Sequence, residues 1–314
     1  MRFQVKINKE YSSPSIDLID TVDNCKAEIF CFGGMLNSFL VTTNNQKLNV
    51  IDGYKNVEDA IENKNTWFKS CKLSPFVCRL ENGRYSFEKQ EYLIEKFYLN
   101  KHAIHGIIYD EIYTIEKTEA TDNFALVKLF YEYQGTDKGY PFPFSIQLEW
   151  KLEKQNKLSV TTTVVNLSHQ SIPYCEGWHP YFKLDTEIDN CTLQINATKK
   201  IEFNEELIPT GKLIRKNEFL KPIILKDKFL DDCFELSQES NEKCILKGKN
   251  IQLKIFTDYS YRFLQVFIPP GRKSIAIENL SAIPNAFNNK IGLQFLEPKR
   301  EYQFRTQYQI EIDS

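Results

Sequence analysis

The sequence predicts an all-β protein, a large antiparallel β-sandwich with few short helices. Runs that alternate apolar and polar residues, such as 124–134 and 144–152, recur along the chain as they do in half-buried antiparallel strands. Other runs are dense in β-branched residues, KLSVTTTVVN at 157–166 above all. Helical-looking stretches are few; residues 56–62 form one, short and peripheral. No Pro/Gly/Ser-rich linker, charge block or repeat breaks the chain, so residues 1–314 read as a single domain.

In chain order, residues 1–6 alternate like a strand. Residues 25–32 and 35–43 are strands flanking Gly33-Gly34, a turn signal. No G-x-G-x-x-G follows and no helix opens there, so this is not a dinucleotide fingerprint. Asn82-Gly83 lies between the β-prone runs 74–80 and 85–87 and predicts a hairpin, with Arg79 just before the turn. His102 and His105, three apart, fall on a strand or turn. The strands 124–134, 144–152 and 157–166 follow, then Gly177-Trp178-His179-Pro180-Tyr181-Phe182. Proline biases the residue before it toward extended geometry, which places His179 at a strand end. Shorter strands are predicted over 191–197, 219–225, 244–246 and 251–257, with Asp231-Asp232 between them. Residues 261–269 are a mostly apolar strand with one amide, Gln265. Residues 274–280 end a strand on a carboxylate, Glu278. Residues 281–289 are a loop, and 292–296 and 302–312 close the chain as strands.

Composition excludes several functions. A net charge of −2 leaves no basic excess to neutralise phosphates, which argues against nucleic acid as a partner. No apolar run reaches the roughly 20 residues that cross a bilayer, and the N-terminus has no apolar leader. A cytoplasmic protein without a membrane partner is expected. The eight cysteines are scattered, with no C-x-x-C and no Cys/His cluster at zinc spacing; buried reduced thiols are expected, and no metal.

Several residues carry chemistry. His179 titrates near neutrality and lies among aromatic faces that suit the C–H face of a sugar ring. Glu278, at the end of an apolar strand, is costly to bury unless paired and is a candidate for a perturbed pKa. Gln265 must find partners inside its apolar run or point at a ligand. Arg79 offers a planar fork of donors, suited to hydroxyl or carboxylate oxygens, or to a surface ion pair. Asp231 and Asp232 read as a turn, a cation site or hydroxyl acceptors.

Four stretches together resemble the aldose 1-epimerases, the mutarotases of the galactose mutarotase-like superfamily. They are SPFVCRLENGRYSF (74–87), HAIHG (102–106), GWHPYF (177–182) and AIENLSAIPNAF (276–287), in the family's order, with weaker matches in DDCF (231–234) and LQVF (264–267). The resemblance spans about residues 25 to 310. It implies a β-supersandwich and interconversion of the α and β anomers of an aldohexose. It also implies roles. His179 would be the acid that protonates the ring oxygen, and Glu278 the base that deprotonates the anomeric hydroxyl. His105 would assist at the reacting centre, and Arg79, Asp231 and Gln265 would hold hydroxyls. No role follows for His102. The expected partner is a monosaccharide, the expected cofactor none, and the expected state a monomer or homodimer. Two positions differ from the family's pattern and bear on specificity: Cys78, where asparagine commonly precedes the arginine, and Asp232, where histidine often follows the aspartate. Alternative readings are a hexose-6-phosphate mutarotase, a non-catalytic sugar-binding protein on the same fold, and a glycoside hydrolase using Glu176 and Glu278.

Overall fold

A computed structural model describes residues 1–43 and 46–313. Its sheets are antiparallel throughout. A nine-stranded sheet runs in the order Thr114–Ala120, Phe124–Tyr133, Phe144–Glu153, Lys157–Asn166, Glu301–Ile312, Ile251–Thr257, Glu242–Lys247, Thr192–Ile195, Ile223–Ile224. Its long central strands alternate buried and half-buried residues, as the sequence pattern requires. An eight-stranded sheet runs Pro209–Arg215, Ala197–Phe203, Asp231–Leu236, Phe263–Phe267, Ile275–Leu280, Gly177–Trp178, Lys72–Leu73, with Tyr181–Phe182 also paired to Ile275–Leu280.

The two large sheets pack face to face as a sandwich. Trp150 from the first meets Trp178 from the second edge to face, with ring centroids 5.2 Å apart, and Tyr308 meets Phe182 at 5.4 Å. A five-stranded N-terminal sheet, Phe3–Asn8 to Gln46–Asn49, packs beside them. Its Gly33-Gly34 turn has both residues at positive φ, and the Trp150 indole donates to the Gly34 carbonyl.

The alternation of a strand decides what faces inward. On Ile275–Leu280, Asn279 accepts from Thr306 of the opposite sheet, inside the sandwich. Glu278 therefore projects from the outer face. In the same way Glu176 and Trp178 point into the core, and His179 does not.

Four local expectations are corrected. Asn82-Gly83 does not turn a hairpin: Glu81–Gly83 is a 3-10 turn, and Arg79–Leu80 pairs instead with His102–Ile104. The hairpin lies one step on, where Arg84–Phe87 pairs with Gln90–Leu93 around Glu88-Lys89, both at positive φ. Residues 219–225 are not one strand; Glu218–Leu220 is a 3-10 turn before the two-residue strand Ile223–Ile224. The loop 281–289 contains a short helix, Ala286–Asn289. The helix near residue 56 is longer than expected, Val57–Trp67, and it is not peripheral. Asn56 caps its N-terminus, with the side chain accepting from the Asp59 N–H. Its C-terminus reaches the cavity described next. Among the described residues no helix is long and apolar enough to cross a membrane.

Candidate active site

On the outer face of the eight-stranded sheet, register alone assembles half of the site. Gln265 pairs with Glu278, Cys233 with Gln265, and Asp231 with Phe267. Residues opposite one another, or two apart on a strand, share a face, so Glu278, Gln265, Phe267 and Asp231 all project the same way. His179 is fixed between two short strands. Its N–H donates to the Cys71 carbonyl at 3.1 Å, its carbonyl accepts from the Ser70 N–H at 2.8 Å, and Pro180 follows. Its ring stacks on Tyr181, 5.1 Å between centroids.

His105 comes from outside this sheet. The Arg79–Leu80 pairing with His102–Ile104 brings it in, and its N–H donates to the Cys78 carbonyl at 2.9 Å. Both His105 and Cys78 sit at positive φ, +63° and +48°, where non-glycine residues are strained and which is frequent at functional positions. Gly106 follows at φ +78°, and a Cβ there would lie 2.1 Å from the Ser74 carbonyl oxygen, so only glycine lets the chain pass.

His105, His179, Glu278, Arg79, Asp231 and Gln265 all line one cavity of about 360 Å³, within the usual size range for ligand sites. His179 Nε2 lies 3.3 Å from Glu278 Oε1. The His105 ring stands edge-on to His179, 4.9 Å between centroids. The Gln265 amide donates to Asp231 at 2.6 Å. Cys78 Sγ donates to Glu278 Oε2 at 3.9 Å. Arg79 makes no ion pair among the described residues. Gln265 Oε1 and His105 Nδ1 are buried without a partner, leaving hydrogen-bond capacity open in the cavity wall.

Burial dominates the electrostatics. It lowers His179 to about 4 and lowers His105 well below an ordinary histidine, with the neighbouring His179 and Arg79 adding to the latter. It raises Glu278 well above the usual carboxylate range; Asp231 raises it further, while Cys78 and Arg79 oppose. Asp231 is also raised by burial, against Arg79 and Gln265. Burial thus holds both groups toward their uncharged forms, an imidazole beside a carboxyl.

The other flagged residues lie elsewhere. His102 Nδ1 accepts from the Asn82 N–H at 3.0 Å and its Nε2 faces Glu206, a structural placement. Asp232, on the opposite face of its strand from Asp231, pairs with Lys200 at 2.6 Å. Glu176 is inside the sandwich, bound by Lys72 at 2.5 Å and by Tyr261, so the Glu176–Glu278 glycosidase arrangement does not form. Nothing in the sequence points to Trp67, Phe68, Leu99 or Leu207, which also line the cavity. Phe68 caps the helix in the left-handed conformation and packs its ring 4.7 Å from His105.

Comparison with known proteins agrees with this fold. The chain is 28% identical over 247 residues to the uncharacterized protein YihR of Escherichia coli (strain K12), covering 74% of this chain and 75% of that one. Over 128 residues it is 25% identical to an aldose 1-epimerase of Streptococcus thermophilus, 37% and 36% of the two chains. A galactose mutarotase-like protein of Clostridium acetobutylicum superposes with a TM-score of 0.88 at 21% identity, covering 99% of both chains. A galactose 1-epimerase of Lactobacillus acidophilus superposes at 0.84 with 15% identity over 100% of both. The family model described as aldose 1-epimerase matches residues 15–309, nearly the whole chain, and the protein belongs to the aldose 1-epimerase family.

Proposed function

We propose that this protein interconverts the α and β anomers of an aldohexose by acid/base ring opening and reclosure. The observation that carries the reading is the 3.3 Å approach of His179 Nε2 to Glu278 Oε1 on the buried floor of the cavity. Ring opening takes a proton from the anomeric hydroxyl and delivers one to the ring oxygen. Glu278 as carboxylate accepts the first. The hydroxyl oxygen forms the carbonyl, the bond from the anomeric carbon to the ring oxygen breaks, and the ring oxygen takes its proton from His179. Rotation of the open aldehyde and the reverse steps give the other anomer.

The proton count of the pair suits this cycle. The neutral pair, carboxyl plus imidazole, carries one proton, as does the working pair, carboxylate plus imidazolium. Moving one proton within the pair converts one into the other without exchange with solvent. His105 steadies the reacting oxygen, and Arg79, Asp231 and Gln265 orient the remaining hydroxyls. A positioned acid or base each contributes roughly 10²–10⁴-fold. A binding protein gains nothing from two groups that burial holds against their ionised forms, which favours catalysis over a purely binding role. The test is a polarimetric time course on freshly dissolved α-D-glucose and α-D-galactose. Faster approach to the same equilibrium rotation is expected; no acceleration with either overturns the proposal.

A further inference from the structure

One short run of chain carries a whole wall of the site. The Cys78 carbonyl accepts from the His105 N–H at 2.9 Å, and the Cys78 thiol reaches Glu278. Arg79 and Leu80 pair with Ile104 and Ala103, just before His105. Arg79 itself lines the cavity and is half-buried. A guanidinium on a flexible stem is only as well placed as the backbone that carries it, and a strand of two residues paired along one edge is weakly held. Something else has to fix Arg79.

Asn285 does so. Its N–H donates to the Arg79 carbonyl at 2.7 Å, its side-chain oxygen accepts from the Glu81 N–H at 3.1 Å, and its amide donates to the Glu81 carboxylate at 3.4 Å. Asn285 is buried and sits at φ +61°, a conformation asparagine tolerates better than most residues. It precedes the short helix Ala286–Asn289, where asparagine ordinarily gives its side-chain oxygen to an N–H of its own helix. Here it caps none. The oxygen goes to Glu81 instead, with the Asn288 amide as its second donor at 2.7 Å. The helix is in turn anchored: the Phe287 ring lies 4.7 Å from Tyr85 and 6.0 Å from Phe76, between centroids. Because Asn285 follows Glu278 on one continuous segment, its contacts tie the chain that carries the base to the chain that carries the guanidinium.

We propose that Asn285 is a positioning residue for anomer exchange. Its side chain, bonded to the Glu81 N–H, fixes Arg79 relative to Glu278, so that the guanidinium meets the sugar's other hydroxyls while the base meets the anomeric one. This rests on the anomer-exchange reading. Asn285 does not touch the sugar; it acts through Arg79, and its effect therefore falls on how well the sugar is held.

The experiment measures kcat and KM for anomer exchange of α-D-glucose and α-D-galactose in the wild type, Asn285→Gly, Glu81→Pro, Arg79→Lys and the double variant Asn285→Gly/Arg79→Lys. Asn285→Gly keeps the left-handed backbone and the N–H to Arg79, and deletes only the side chain. Glu81→Pro removes the same hydrogen bond from its other end; proline fits the first position of the turn, after an extended Leu80. Each is expected to raise KM about fivefold, with kcat nearly unchanged. A merely destabilised protein would lose active enzyme, which lowers kcat and leaves KM alone. Arg79→Lys replaces the planar fork with a mobile ammonium that depends less on backbone placement, so adding Asn285→Gly to it should raise KM little further. An unchanged KM in Asn285→Gly or Glu81→Pro overturns the proposal, as does a KM rise in the double variant equal to the product of the two single rises. Loss of the fold in both Asn285→Gly and Glu81→Pro makes the contact purely structural and overturns it too. Each of these leaves anomer exchange standing. No acceleration by the wild type with either sugar overturns the anomer-exchange reading, and this proposal with it.

Discussion

Replacing Lys72 with methionine strands a carboxylate inside the sandwich. Lys72 and Glu176 are both 0% exposed, with Nζ 2.5 Å from Oε2. The ammonium also donates to Thr162 at 3.2 Å and lies 4.4 Å from the centre of the Trp178 ring. Burial lowers Lys72 to about 8 and raises Glu176, and the contact between them opposes both shifts. With an effective dielectric of about 20, two charges at this separation attract by about 7 kcal/mol, most of which offsets desolvation. Removing one partner of such a pair costs about 3–5 kcal/mol, because the other charge stays behind unpaired. At about 2 °C per kcal/mol for a chain of this size, Tm should fall by about 6–10 °C. Urea titration gives the free energy directly. Adding Glu176→Gln removes the stranded charge while leaving Tyr261 an acceptor, and should recover most of the loss. In the single variant the folded-state pKa of Glu176 lies above its unfolded value. Its contribution is therefore fully present below the unfolded pKa and is lost as pH rises through the folded one, so the deficit should shrink on acidification toward pH about 5. A loss under about 1 kcal/mol, or a double variant no more stable than the single, would refute this account of the pair.

Three other outcomes are expected. The pH profile of kcat/KM should be bell-shaped, since the working pair carries one proton. Its acid limb lies near 4, where His179 takes a second proton, and its alkaline limb lies above the usual carboxylate range, where Glu278 loses the first. Cys78→Ala removes a contact that lowers the Glu278 pKa, so the alkaline limb should move to higher pH. Gly106→Ala should cost at least about 1–2 kcal/mol from the left-handed backbone alone, and should depress kcat because relieving its overlap with Ser74 displaces His105; thermal unfolding and polarimetry check the two effects.

Much of the sandwich was legible because its strands carry a period of two over long runs. Residues 157–166 form one strand with the predicted bounds, and 124–134 and 144–152 differ from the observed strands only at their ends. The polar residues that broke apolar strands, Gln265 and Glu278, were legible for the same reason: a buried amide or carboxylate needs a partner or a purpose. What failed was local turn chemistry overruled by long-range pairing. Asn82-Gly83 carries the turn signal, yet Arg79–Leu80 is claimed by His102–Ile104, and the true hairpin turns on Glu88-Lys89, which carry no such signal. Trp67 was invisible as a site residue because nothing within a helix states which cavity its end will meet. That His105, His179 and Glu278 line one cavity also depends on pairings between strands far apart in the chain, which no single stretch encodes.

The most direct measurement of the central claim is anomer exchange on wild type, Glu278→Gln and His179→Asn, followed by NMR from freshly dissolved α anomer so that the uncatalysed rate is resolved in the same kind of time course. Neither substitution enlarges the side chain it replaces, and Glu278→Gln removes a buried ionisable group, so folding should be retained. The account predicts acceleration by the wild type and a loss of at least about 10²-fold in each variant. Undiminished exchange in either variant would contradict the assignment of His179 and Glu278 as the working acid and base.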